Sequence, residues 1–182
     1  MKRFALVICI ELALVACTSS QAVTFNSARV PWSFPLPSGW HTSTIRSAPN
    51  PDLMTGLLRT YAANVRYAFA FGAATPGPNS GAGASKALGP SAVVVQIDLL
   101  WYPPDGPIAW GEGALTVGRP SAWHEDAQNP GWVFRERKTC LGGTCVHIVE
   151  WHGPKALDEA VKAGADIAEA LRLKPGWIDP TA

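Results

Sequence analysis

Trp132-Val133-Phe134-Arg135-Glu136-Arg137-Lys138-Thr139-Cys140-Leu141-Gly142-Gly143-Thr144-Cys145-Val146-His147-Ile148-Val149-Glu150-Trp151 is the stretch that decides the fold. Two strand-like runs flank Gly142-Gly143, and a two-residue hairpin loop needs the positive φ that glycine adopts without steric cost. Once Leu141 and Thr144 close the turn, every other pairing follows. Phe134 opposes Trp151 on one face, Arg135 opposes Glu150 on the other, and Cys140 faces Cys145. The cysteines fall at a non-hydrogen-bonded position, where Cα atoms lie ~4.5 Å apart and a disulfide can form. One Cys-x4-Cys pair without a second Cys or His pair is a poor zinc signal, so the sequence predicts a disulfide and no metal.

Moving toward the C-terminus, Gly153-Pro154 starts a segment in which Leu157, Val161, Gly164, Ile167, Ala168 and Leu171 recur at helical spacing. Proline in the first turn and Lys174-Pro175-Gly176 at the end predict a helix over 154–174, with Val161 enclosed at the middle of its apolar stripe. Moving toward the N-terminus, Val93, Val95, Ile97, Leu99 and Trp101 alternate with Gln96 and Asp98, which predicts a central strand over 92–102. Alternation of Tyr61, Ala63, Val65, Tyr67, Phe69 and Phe71 predicts another strand, preceded by a helical stretch over 52–59. Residues 30–36 read as a strand held to a sheet edge by its prolines, and Pro37-Ser38-Gly39 as a turn. Residues 114–117 form a further strand candidate. Residues 72–90 are rich in Gly, Pro, Ala and Ser and read as a loop. The sum is an α+β domain over residues 30–182, a curved antiparallel sheet covered by a C-terminal helix.

The N-terminus supplies an address. Lys2 and Arg3 precede 13 mostly apolar residues, Phe4 to Ala16, fewer than the ~20 that span a bilayer. Leu14-Val15-Ala16-Cys17 then reads as a lipobox, with residues 1–16 as signal peptide, Cys17 as the lipidated residue and 17–29 as a polar tether. Glu11 sits badly in the apolar run, at an insertion cost on the order of 2.5 kcal/mol. The alternative is plain secretion with cleavage after Ser20-Gln21-Ala22. Both readings place the domain outside the cytoplasm, where disulfides persist, and a cytoplasmic chain is the third alternative.

The 182-residue chain carries a formal charge of +1, and loss of residues 1–16 removes Lys2, Arg3 and Glu11, leaving a neutral chain. A neutral surface lacks the basic stripe that supplies affinity for phosphate backbones, which argues against nucleic acid. The phosphate-loop, Gly-x-Ser-x-Gly and His-Glu-x-x-His patterns do not occur, so no cofactor is indicated. His124-Glu125-Asp126, with His152, is the densest titratable group and the only candidate for acid–base or metal chemistry. Lying between Pro120 and Pro130, it also reads as a solvated turn. His147 and Glu150 fall on opposite faces of a strand, and His41 reads as a turn residue.

Eight tryptophans mark the composition. Trp101, Trp132 and Trp151 lie in strands and read as core, whereas Trp110 and Trp123 flank a Gly- and Pro-rich segment and are candidates to line a binding cleft. Three functions remain open: a non-enzymatic envelope lipoprotein that binds a sugar or an envelope protein, an envelope enzyme or metal binder built on the His124 group, and a structural lipoprotein. In each lipoprotein reading the membrane is a partner through the anchor.

Phe34-Pro35-Leu36-Pro37-Ser38-Gly39-Trp40, Ala87-Leu88-Gly89-Pro90 leading into Val93-Val94-Val95, and Ala168-Glu169-Ala170-Leu171-Arg172 together resemble uncharacterised secreted proteins and lipoproteins of actinobacteria. The strand, Pro-x-Gly-Trp turn and terminal helix are also similar to the PsbP-like fold of small envelope lipoproteins. That resemblance implies an envelope location and an α+β fold, and it assigns no catalytic residue.

Overall fold

The computed structural model of the chain describes residues 22–50, 55–66, 87–101, 118–141, 144–174 and 177. Its strands are β1 (Val23–Asn26), β2 (Trp32–Leu36), β3 (His41–Asn50), β4 (Thr55–Ala63), β5 (Val93–Trp101), β6 (His124–Glu125), β7 (Val133–Leu141), β8 (Thr144–His152) and β9 (Arg172–Leu173), with helix α1 over Asp158–Glu169. All ladders are antiparallel, in a six-stranded sheet ordered β3-β4-β5-β8-β7-β6 and a three-stranded sheet ordered β1-β2-β9. Among the described residues the sheets do not close into a barrel.

The hairpin register is the one read from the sequence. Phe134 pairs with Trp151, Arg135 with Glu150, Cys140 with Cys145 and Leu141 with Thr144. Cys140 and Cys145 form a disulfide with Cα atoms 4.0 Å apart. The loop it closes is short, so chain entropy gives it about 2 kcal/mol. Reduction is expected to lower the melting temperature while the far-UV circular dichroism of the folded state is retained, and an unchanged melting curve after full reduction contradicts that value.

β5 lies between β4 and β8, as its apolarity requires. Val93, Val95, Ile97 and Leu99 join Val146 and Ile148 of β8 in a core covered by Trp32 and Phe34 of β2 and by Ile167, Ala168 and Leu171. The opposite face is apolar too at one end, where Tyr61, Val94, Trp132 and Trp151 cluster. Trp132 and Trp151 stack with centroids 4.1 Å apart, in keeping with the core role read for them.

Several expectations require correction. Residues 55–59, read as helical, belong to strand β4. The strand read over 61–71 ends at Ala63, and Tyr67, Phe69 and Phe71 lie outside the described residues. Period-two alternation is absent from 57–63 because β4 is buried on both faces: Leu58, Thr60 and Ala62 pack on one side, Tyr61 and Ala63 on the other. β2 is not an edge strand. It lies between β1, formed by residues read as tether, and the two-residue β9. β9 pairs only with Trp32 and Ser33, so Pro35 faces no partner there. Phe25 stacks on Phe34 with centroids 4.7 Å apart and fixes β1 on its neighbour.

The helix is shorter than predicted, and its buried stripe is rotated. Gly153 N–H donates to Ala92 O (2.9 Å), Lys155 N–H to Pro90 O (2.9 Å) and Ala156 N–H to Gly153 O (3.1 Å), a turn held against residues 90–92 that delays the helix to Asp158. Leu157 is therefore the N-cap residue and 63% exposed. Val161 is half-buried, and the enclosed positions are Gly164, Ile167, Ala168 and, just past the helix, Leu171. Gly164 permits the contact: a Cβ there would stand 3.1 Å from Val93 Cγ1 and 3.4 Å from Val95 Cγ2. The strand candidate over 114–117 and most of the 72–90 loop lie outside the described residues.

Candidate functional site

β6 lies at the edge of the large sheet and runs along β7, with His124 opposite Phe134 and Glu125 opposite Val133. Consecutive strand residues point to opposite faces, so His124 and Glu125 diverge. His124 tilts against the Phe134 ring at 5.7 Å. Asp126 is buried, and both of its carboxylate oxygens are engaged in hydrogen bonds within the protein. Its Oδ1 accepts from Gln128 N–H (2.9 Å), and its Oδ2 from Asn129 Nδ2 (2.8 Å) and Trp151 Nε1 (3.1 Å). The segment read as a solvated turn is a short exposed strand, His124–Glu125, followed by a turn over 127–130, in which the buried Asp126 ties the edge strand to the Trp151 indole. Among the described residues no three His, Cys, Asp or Glu side chains gather to hold a metal ion.

His152 and Trp123 do meet. The indole of Trp123 lies across β7, its ring 4.8 Å from the His152 ring in an edge-on contact. Arg135 Cζ stands 4.7 Å from the Trp123 ring centroid, a cation–π contact. His152 Nδ1 donates to Gly153 O (3.1 Å), which turns its ring toward the indole. Trp123 nevertheless remains 37% exposed, one of three large apolar side chains at the surface among the described residues. Trp110, the other tryptophan read as a cleft residue, lies outside the described residues, as does Cys17. His41 opens β3 instead of lying in the turn before it.

Behind Trp123 lies an ion cluster. Arg135 Nη2 and Arg137 Nη2 each donate to one oxygen of the Glu150 carboxylate, both at 2.5 Å. The side chains of Arg137 and Glu150 are 5% and 4% exposed, and Arg135 is 18% exposed. Two guanidinium cations thus share one carboxylate inside the protein. Nε of each arginine is buried without an acceptor. The Arg135–Glu150 pairing is legible in the hairpin register; the part of Arg137 was missed, although residues two apart on a strand share a face and the register alone sets Arg137 diagonally beside Glu150.

A second ion pair occupies the other face of the sheet. Arg59 grips Asp98 through Nε–Oδ1 (2.6 Å) and Nη2–Oδ2 (2.7 Å), and Gln96 Nε2 donates to Asp98 Oδ2 (2.9 Å). Burial works against the Arg59 charge, but the hydrogen bonds and charge of Asp98 outweigh it, so its pKa lies above the usual arginine value. This pair is neutral overall and internally satisfied, and it reads as a structural link between β4 and β5. Nearby, His147 Nε2 meets Glu136 Oε2 at 2.7 Å in an exposed pair.

The arrangement at Trp123 can present a flat apolar ring to a ligand, held from behind and from the side by charged and aromatic neighbours. Among the described residues no nucleophile is paired with a base there. No family model matches the chain, and no curated protein or solved structure matches it either, so any function rests on these residues.

Proposed function

We propose that the protein is a non-enzymatic, lipid-anchored domain of the cell envelope that binds a sugar ligand on the Trp123 patch of a curved sheet. The carrying observation is that Trp123 is both exposed and immobilised, backed by Arg135 at 4.7 Å and edged by His152 at 4.8 Å. An indole fixed in advance loses little conformational freedom on binding, and its flat face suits the C–H face of a pyranose ring. The disulfide supports the extracytoplasmic address, since such bonds persist in oxidising compartments. The lipobox ending at Cys17 supports the anchor.

Two measurements test the reading. Titrating oligosaccharides while following tryptophan fluorescence should show saturable binding that falls at least about tenfold in Trp123→Ala, the loss expected for one stacking aromatic. Equal affinity in that variant removes the site. Feeding labelled palmitate to the expressing host should label the mature protein and leave a Cys17→Ser variant unlabelled; a free N-terminus at Val23 contradicts the anchor.

A further inference from the structure

We infer that the domain docks on the surface of its own bilayer through the end that carries Val23 and Leu157; this rests on the lipid-anchored reading above and not on the sugar ligand. The register places the two residues at one end. Val23 opens β1 opposite Leu36, the last residue of β2, and the turn from Pro37 to Trp40 then leads into His41, the first residue of β3. His41 pairs with Ala63, Ala63 with Val94, and Val93 with His152, the last residue of β8. Gly153 and Lys155 bond back to Ala92 and Pro90, and Leu157 follows. The Cys140–Cys145 tip of the hairpin lies at the opposite end, the nine residues of β8 away, or about 30 Å.

The occupant follows from the length of chain before β1. Five residues separate Cys17 from Val23. At about 3.6 Å per residue they reach at most about 20 Å, whatever their conformation. The Val23 end is therefore held near the lipid, and a domain inverted onto its disulfide tip is out of reach. Val23 is 69% and Leu157 63% exposed, the two most exposed large apolar side chains among the described residues. Leu157 is the N-cap of α1 and makes no side-chain cap bond, at a position where Asp, Asn, Ser or Thr would accept from the first turn. Its side chain neither caps the helix nor joins the core, and lipid is an apolar phase able to cover it. Lys155, Asp158 and Glu159 flank it, all exposed, with no excess of positive charge, so the contact is apolar and suits zwitterionic lipid. Trp123 is set back from this end, beside Arg135, and lies outside the contact.

The test uses the full-length protein, lipidated at Cys17 by its host and reconstituted in phosphatidylcholine vesicles carrying a headgroup nitroxide. Cys9 leaves with the signal peptide and Cys140 is joined to Cys145, so Val23→Cys, Leu157→Cys or Lys138→Cys supplies the free thiol for a bimane label. Lys138 is exposed on β7, five residues beyond Val133 toward the disulfide tip. Quenching at positions 23 and 157 should exceed that at 138 at least about threefold, as expected for side chains seated at headgroup depth. With the label at position 23, adding Leu157→Asp should at least about halve the quenching while the melting temperature holds or rises, because aspartate supplies the missing cap. Equal quenching at the three positions overturns the docking, as does a Leu157→Asp variant quenched like its parent. Sedimentation that finds the unlipidated Cys17→Ser protein dimeric, and monomeric once Leu157→Asp is added, assigns this end to a second copy instead. Mass spectrometry separates the two readings: a protein unacylated at Cys17 overturns anchor and docking together, whereas an acylated protein without differential quenching overturns the docking alone.

Discussion

Ile167→Asp should leave most of the protein unfolded at room temperature. Ile167 is fully buried on the helix face that meets β5 and β8, in a core with Val95, Ile97 and Ile148. The substitution removes a branched side chain, which alone costs about 2–5 kcal/mol when a cavity remains, and it adds a carboxylate with no partner. Against a total stability of about 5–15 kcal/mol the combined loss is decisive. Glu159→Gln, exposed in the first helical turn, should hardly move the denaturation midpoint. Val161→Asp should fall between them, because Val161 is half-buried. Chemical denaturation of the three variants checks the order, and an Ile167→Asp midpoint near that of Glu159→Gln means that α1 is not docked on the sheet.

Removing the carboxylate of Glu150 should be nearly as damaging. Glu150→Ala strands two buried guanidinium groups, and breaking a buried ion pair from one side costs about 3–5 kcal/mol. Most of that cost comes from the charges left behind. Adding Arg137→Leu to Glu150→Ala should therefore recover a large part of the lost stability, since it deletes the more enclosed cation. Additive losses in this double-mutant cycle contradict the assignment of Arg137 and Glu150 to one cluster.

The parts of the fold legible in the sequence are those where a local signal and the tertiary environment agree. Gly142-Gly143 and the Cys spacing set the β7–β8 register because turn chemistry fixes pairing along the whole hairpin. The apolar alternation of β5 announced a central strand for the same reason. β4 was obscured because a strand buried on both faces loses the alternation that identifies it. β1 and β9 are four and two residues long, too short for a periodic pattern, and they exist through pairing with β2. At α1 the apolar spacing of Leu157 and Val161 pointed off the buried face, since the turn over Gly153–Ala156 delays the helix to Asp158 and leaves Leu157 as its exposed N-cap.

The site was legible in fragments. Trp123 and His152 were each marked, one as a cleft residue and one as part of a titratable group, yet nothing in their spacing joins residues 29 positions apart, one just before β6 and one at the end of β8, with β7 between. Asp126 drew attention through its charge and serves the fold through three hydrogen bonds. Arg59 and Asp98 pair across 39 residues, a contact that only the β4–β5 register reveals.

The central claim, that the exposed and braced indole of Trp123 is where ligand binds, is tested most directly by nuclear magnetic resonance of 15N-labelled indoles during titration with the oligosaccharides used for fluorescence. Trp123→Phe assigns the signal. The account predicts a saturable shift of the Trp123 indole resonance, with the Trp132 and Trp151 resonances, buried in their stack, nearly still. Ligand-induced shifts that spare Trp123, or a Trp123 signal unmoved at saturation, contradict it.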